Sequence, residues 1–281
     1  MAGLSGRPGG ARPPRRDTRT PTSRARPTSV PAPPRYIEGR HPVREALRAG
    51  TSIRRLIVAE GAQPRGVLGE ILQLARDAGV RIDRVPRAAL DARASTGAHQ
   101  GVLAEAAPYR TRSWKEGVEA ARERGAVPLL LALDGMEDPH NLGALLRTAE
   151  VFGVDAVILP NRGTAPLGPV VAKSAAGALE HLVVDGVANL ERTLADCRRE
   201  GMWIVALAAE GNDEVQACEL LGEPVVVVVG SEGAGVSALI RKRADVVVRI
   251  PTAGRVSSLN ASVAGAICMW EAARRRSVRN Y

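Results

Sequence analysis

A chain of 281 residues with 45% apolar and 25% charged side chains is long enough for two modest domains and has the composition of a soluble globule. Its longest apolar runs fall well short of the roughly 20 residues of a membrane span, and its first residues lack the apolar stretch of a secretory signal. A cytoplasmic protein without a membrane partner is therefore expected. The net charge of +9 is uneven, because residues 1–35 hold eight arginines and one acid, Asp17, leaving +2 for the other 246.

That leading segment also holds eight of the 19 prolines and almost nothing to bury, so it reads as a disordered basic tail. Such an arm suits RNA, since each arginine that meets a phosphate releases counterions. From Tyr36 the pattern turns globular. "HPVREALRAG" reads as a helix closed by Gly50, "IRRLIVAE" as a strand, "VLGEILQLARDAG" as a helix and "VRIDRV" as a strand. "RAALDARA" then reads as a helix and "GVLAEA" as a strand, which makes residues 36–107 a small α/β domain. The polar residues 108–126 read as a linker that is partly helical.

A second domain is expected over residues 127–281. Its apolar runs "VPLLLALD", "VDAVILP", "HLVV", "MWIVALAA", "PVVVVVG" and "DVVVRIP" alternate with helical patterns. Runs this continuously apolar suit strands covered on both faces, and the alternation implies a doubly wound parallel sheet. Ligands of such sheets sit beyond the carboxyl ends of the strands. Cys197, Cys218 and Cys268 fit neither a metal knuckle nor a disulfide framework at spacings of 21 and 50. They read as core thiols, and no metal is expected.

Three loops that follow strands carry the candidate site. In residues 133–154, Asp138 to Asn141 form a turn, and Leu142, Leu145, Leu146, Ala149 and Phe152 mark an apolar stripe with Arg147 on the opposite side. The plain readings are a helix cap for Asn141 and a solvated charge for Arg147. In "VVVVVGSEGAGVSALI", Gly230, Gly233 and Gly235 have the spacing G-x-x-G-x-G, not the dinucleotide fingerprint. Glu232 would repel a phosphate there, so a cofactor with a cationic centre fits better than a nicotinamide dinucleotide. In the third, Ile250 ends a strand, and Ser257 or Ser258 caps a helix running to about Arg274. One serine would suffice as a cap, so the extra Ser258 and Asn260 imply a site. The small residues Ala261 to Ala266 imply that another backbone approaches closely.

Together the three loops resemble the three motifs of the SpoU-type ribose methyltransferases of the SPOUT superfamily. "GRHPVREALRAG" and "HQGVLAEA" resemble the ribosomal-protein-like recognition domain of the members that methylate guanosine in 23S rRNA. The resemblance implies S-adenosylmethionine as methyl donor, transfer to a ribose 2'-hydroxyl of RNA, a SPOUT parallel sheet with a C-terminal trefoil knot, and a homodimer. It further implies that Gly230, Ile250 and Leu259 line the cofactor pocket and that Asn141, Arg147, Glu232, Ser258 and Asn260 form the catalytic cluster. Arginine is a poor base, so Arg147 reads as a phosphate clamp or oxyanion stabiliser, with deprotonation helped by Glu232, Asn260 or water. A tRNA substrate, and a ribosome-assembly protein without chemistry, are the alternatives.

Overall fold

The structure, a computed structural model, describes residues 35–95, 97–107, 109, 111–255 and 258–279, the side chains of 277–279 excepted. The basic tail up to residue 34 and Ser257 lie outside the described residues. The first sheet is built from β1 (Arg35–Glu38), β2 (Ile53–Ala59), β3 (Arg81–Val85) and β4 (Val102–Ala106) in the order β1-β4-β2-β3. β4 runs antiparallel to both neighbours, whereas β2 and β3 are parallel. Helices α1 (Arg40–Arg48) and α2 (Val67–Asp77) bury Val43, Leu47, Leu68, Ile71 and Leu72 against one face. The short α3 (Arg87–Asp91) covers the other face with Leu90. Arg35, which composition assigns to the tail, pairs with Ala106 as the first residue of β1.

Among the described residues of 108–126, the helical part of the expected linker is a single helix. Trp114–Glu123 form α4, opened by a capping box in which Ser113 and Glu116 satisfy each other's backbone amides. Its apolar face, Trp114 and Val118, packs into the same cluster as Ala156 and Ile158 of the following sheet. Charged residues on the outer face of a helix hide such an inner stripe from a composition scan.

The second sheet comprises β5 (Leu129–Asp134), β6 (Ala156–Pro160), β7 (Val184–Val187), β8 (Trp203–Leu207), β9 (Asp213–Glu214), β10 (Val225–Gly230) and β11 (Val246–Arg249). Its order is β7-β6-β5-β10-β8-β11-β9, and each recorded pairing is parallel. The alternation of strand side chains divides the core. Leu129, Leu131, Leu133, Val225, Val227 and Val229 face α5 (Pro139–Val151), α6 (Pro169–Ser174) and α9 (Ala261–Arg279). Leu130, Ala132, Val226 and Val228 face α4, α7 (Leu190–Arg199) and α8 (Ala238–Arg243). Helices cover both faces, as the continuously apolar runs require.

In the second sheet, two strands depart from the sequence reading. "HLVV" contributes only Val184, because the register of this edge strand is set by Val157 opposite Val184 and continues to Val187. The two-residue β9 is too short to leave a pattern. The three cysteines are buried and free, and burial pushes the Cys197 and Cys268 thiols up to about 12. The small residues of α9 are used within the chain: a Cβ on Gly265 would lie 2.5 Å from Leu145 Cδ2 of α5. Among the described residues no helix is long and apolar enough to cross a membrane.

Candidate functional site

β10 is inserted between β5 and β8, so the chain reaches it only after forming strands on both sides. Beyond the carboxyl ends of β8, β10 and β11 lies a cavity of about 610 Å³, within the range of about 300–1,000 Å³ usual for small-molecule clefts. Loop 230–235 forms one wall. It folds back at once, with the Gly235 amide donating to the Ser231 carbonyl at 2.9 Å. A Cβ on Gly230 would stand 1.9 Å from the Gly235 carbonyl carbon, so only glycine fits there. Gly233 has a left-handed φ of +88°. The result is a glycine-rich cavity wall in which Ser231, Glu232 and Ala234 carry the loop's side chains.

The sequence-derived residues fall into three groups. Gly230, Ile250 and Leu259 line the cavity, and so do Glu232 and Ser258. Asn141 and Asn260 do not line it but join Glu232 in a chain of hydrogen bonds. The Asn141 Nδ2 donates to Glu232 Oε2 at 3.0 Å, and the Asn260 Nδ2 donates to Asn141 Oδ1 at 3.0 Å. Asn260 Oδ1 in turn accepts from the Ser262 and Val263 amides at 2.9 and 3.3 Å. Because backbone amides only donate, this end fixes the orientation of every amide in the chain. Asn141 therefore presents its NH₂ group, not its carbonyl, to the carboxylate.

These contacts correct two expectations. The cap of α9 is Asn260, and Ser258 precedes the helix along the cavity wall. The cap of α5 is Asp138, whose carboxylate accepts from the His140 amide at 2.9 Å, while Asn141 is a buried residue of the first turn. The structure does not bring Arg147 to the others. It is exposed on α5, it does not line the cavity, and it has no hydrogen bond or ion pair among the described residues.

Sequence reasoning missed three charged residues of the cavity, Arg249, Glu214 and Glu210. Arg249 ends β11, donates through Nη1 to the Gly211 and Asn212 carbonyls at 2.8 Å each, and pairs with Glu214 at 3.4 Å. Glu210 lines the opposite loop and pairs with Arg241 of α8. The signal was position alone: Arg249 and Glu214 end strands, and Glu210 lies in the loop after β8.

A parallel α/β sheet with a glycine-rich wall and an oriented carboxylate at its strand ends forms a small-molecule site suited to a compact ligand with a cationic centre. The description "SpoU rRNA Methylase family" matches residues 128–270, and "RNA 2'-O ribose methyltransferase substrate binding" matches residues 36–112. A Staphylococcus saprophyticus protein assigned to the TrmH family of tRNA/rRNA methyltransferases is 39% identical over 86% of this chain and 96% of its own. A crystal structure of an RNA 2'-O ribose methyltransferase superposes with a TM-score of 0.70 at 27% identity, covering 86% of this chain and 88% of that one. The SpoU methyltransferase AviRb of Streptomyces viridochromogenes shares the fold at 22% identity, with a TM-score of 0.72 over 88% and 91% of the two chains, and has also been solved with AdoMet. The chain belongs to the SpoU/TrmH family of RNA methyltransferases. The methyl donor of that family is S-adenosylmethionine, and the bare backbone at Gly230 together with the Glu232 carboxylate suits a sulfonium cation better than a phosphate.

Proposed function

We propose that the protein transfers a methyl group to the 2'-hydroxyl of a ribose in RNA, most readily that of a guanosine in 23S rRNA, in the cytoplasm and as a homodimer. Residues 36–107 recognise the RNA and residues 127–281 carry the transfer, with the basic tail adding contacts to phosphate. The observation that carries this reading is the hydrogen-bonded chain in which Asn260 and Asn141 orient Glu232 on the cavity wall.

When bound, S-adenosylmethionine would supply an electrophilic methyl group for the ribose oxygen, whose proton must be accepted by a neighbouring group or water. Gly230, Ile250 and Leu259, which line the cavity, would hold the donor through backbone and apolar contact. Glu232, held by Asn141, balances the cationic centre and keeps one oxygen able to accept the leaving proton directly or through water. Ser258, on the cavity wall, would orient the ribose, and Asn260 acts through Asn141 on Glu232. Alignment is the main gain, since effective molarities of about 10⁵ M or more accompany well-oriented partners.

The homodimer draws support from the outer faces of α5 and α9. Val151 on α5 and Val263 and Trp270 on α9 are exposed, at 66%, 48% and 50%, and such a stripe favours association. Arg147 shares the exposed side of α5, so a dimer built on this face carries it at the subunit boundary, where it clamps RNA phosphate. A knotted crossing of the C-terminal segment fits the tight packing of Gly211, where a Cβ would lie 2.5 Å from the Val248 carbonyl carbon. Mapping ribose methylation in rRNA and tRNA from cells with and without the gene tests the function. Loss of one 23S rRNA 2'-O-methyl group is expected; loss only in tRNA moves the substrate, and no loss removes the proposal.

A further inference from the structure

The two sheets are joined by a polar cluster that the transfer chemistry does not use. Glu180 closes a short turn after α6, and its carboxylate accepts from Arg35 of β1 through Nη1 at 2.7 Å and Nη2 at 3.2 Å. It also accepts from Thr51 Oγ1 at 2.5 Å. The Arg35 and Glu180 side chains keep only 13% and 6% of their exposure. The Arg35 guanidinium stacks 3.5 Å from the centre of the Tyr109 ring, and burial pushes the Tyr109 hydroxyl up to about 12. A second contact lies close by in sequence. Gly177, at φ +99°, packs so tightly on α1 that a Cβ would stand 2.7 Å from Glu45 Cβ.

A paired guanidinium and carboxylate with two parallel hydrogen bonds fix direction as well as distance. Removing either partner leaves the other charge buried and uncompensated. With Gly177 as a second point of contact, rotation of one sheet against the other breaks one contact or the other. RNA held on the small sheet is then presented to the cavity at a set span.

We propose that Glu180 is a positioning residue: by clasping Arg35 and Thr51 it fixes the span between the substrate-binding sheet and the methyl-donor cavity, and so selects which nucleotide of a bound RNA is methylated. This rests on the RNA-methylating reading above, and the test separates the two. In the first arm, spin labels are placed at Gln73→Cys on α2 and Arg192→Cys on α7, both exposed while the native cysteines are buried, with unlabelled chain in excess to suppress distances between subunits. The distance distribution is narrow in the parent and broadens in Glu180→Ala and in Arg35→Ala. Equal widths overturn the proposal.

In the second arm, methylated nucleotides are mapped on a 23S rRNA fragment under single-turnover conditions. Glu180→Ala spreads methylation to flanking nucleotides and loses about 10²-fold at the original one, the scale of a misplacement of about 1 Å. Its affinity for S-adenosylmethionine is unchanged, and the exchange Arg35→Glu with Glu180→Arg restores the single site. A variant that keeps both the single nucleotide and the rate overturns the proposal. If the parent methylates no RNA, the enzymatic reading fails and takes nucleotide selection with it, while the label distances still decide whether Glu180 holds the sheets together.

Discussion

Glu232 and Glu180 each hold segments far apart in sequence, 91 residues to Asn141 and 145 to Arg35, but they use their oxygens differently. Glu180 is nearly buried and spends both oxygens on protein donors. Glu232 is exposed at the cavity and takes a single hydrogen bond among the described residues, from a neutral amide. A carboxylate with both oxygens engaged by a cation serves to hold structure. One that is oriented through one oxygen and open at the other is arranged to meet something else. Packing of the supporting backbone, burial of titrating groups and charge outside the core each offer a way to sharpen that contrast.

The largest effect is expected at the glycine-rich wall beneath Glu232. Gly230→Ala forces a Cβ into the Gly235 backbone, so stability should fall by about 3 kcal/mol or more, the upper end of overpacking costs, and cofactor binding should be lost with it. Gly233→Ala meets no atom within 4 Å and bears only the strain of its φ of +88°, about 1–2 kcal/mol. Urea unfolding of the two variants separates them; equal losses would mean that loop 230–235 is not held as described.

A smaller effect is expected from pH around Glu180. Burial raises Tyr109 from 10.0, and Cys197 and Cys268 from 9.0, each to about 12. A raised value means that the folded state holds the proton more tightly. The stability these groups contribute is complete below pH 9 and is lost as the pH climbs to 12. Tyr109→Phe keeps the ring beneath Arg35 and removes one titration, so its stability should decline less steeply between pH 10 and 12, by on the order of 1 kcal/mol. Identical pH profiles would exclude the Tyr109 hydroxyl as a contributor.

The smallest structural effect is expected from deleting residues 1–34. The deletion leaves cofactor affinity unchanged and lowers the slope of RNA affinity against salt by about 0.7 for each phosphate of single-stranded RNA that the tail would otherwise neutralise. An unaltered slope by filter binding would show that the tail neutralises no phosphate.

Much of the fold is legible in the sequence because its signals are local. Continuous valine and leucine runs mark the strands of the second sheet, and the periodicity of Leu142, Leu145, Leu146 and Ala149 marks α5. What stays hidden depends on distant partners. Arg35 reads as tail until β4 is seen beside it, and Asn141 reads as a cap until Glu232 and Asn260 meet it across 91 and 119 residues. Motif resemblance points to Gly230, Ile250 and Leu259, residues far apart in local pattern that line one cavity in the fold. Glu180 carried no signal, since a lone acid at the end of a short turn looks like any solvated charge.

The claim that the polar chain at the cavity serves methyl transfer is tested most directly by single-turnover transfer of labelled methyl to rRNA fragments by the parent, Asn141→Ala and Arg147→Ala. Asn141→Ala frees the Glu232 carboxylate from its donor, and Arg147→Ala removes an exposed cation that stands outside the cavity. The account predicts that both variants bind S-adenosylmethionine within about threefold of the parent and lose about 10²- to 10³-fold in rate, the usual cost of one preorganised electrostatic group. Transfer by Asn141→Ala within about threefold of the parent rate, far inside that loss, would contradict it and leave Glu232, Asn141 and Asn260 as a tie between loops.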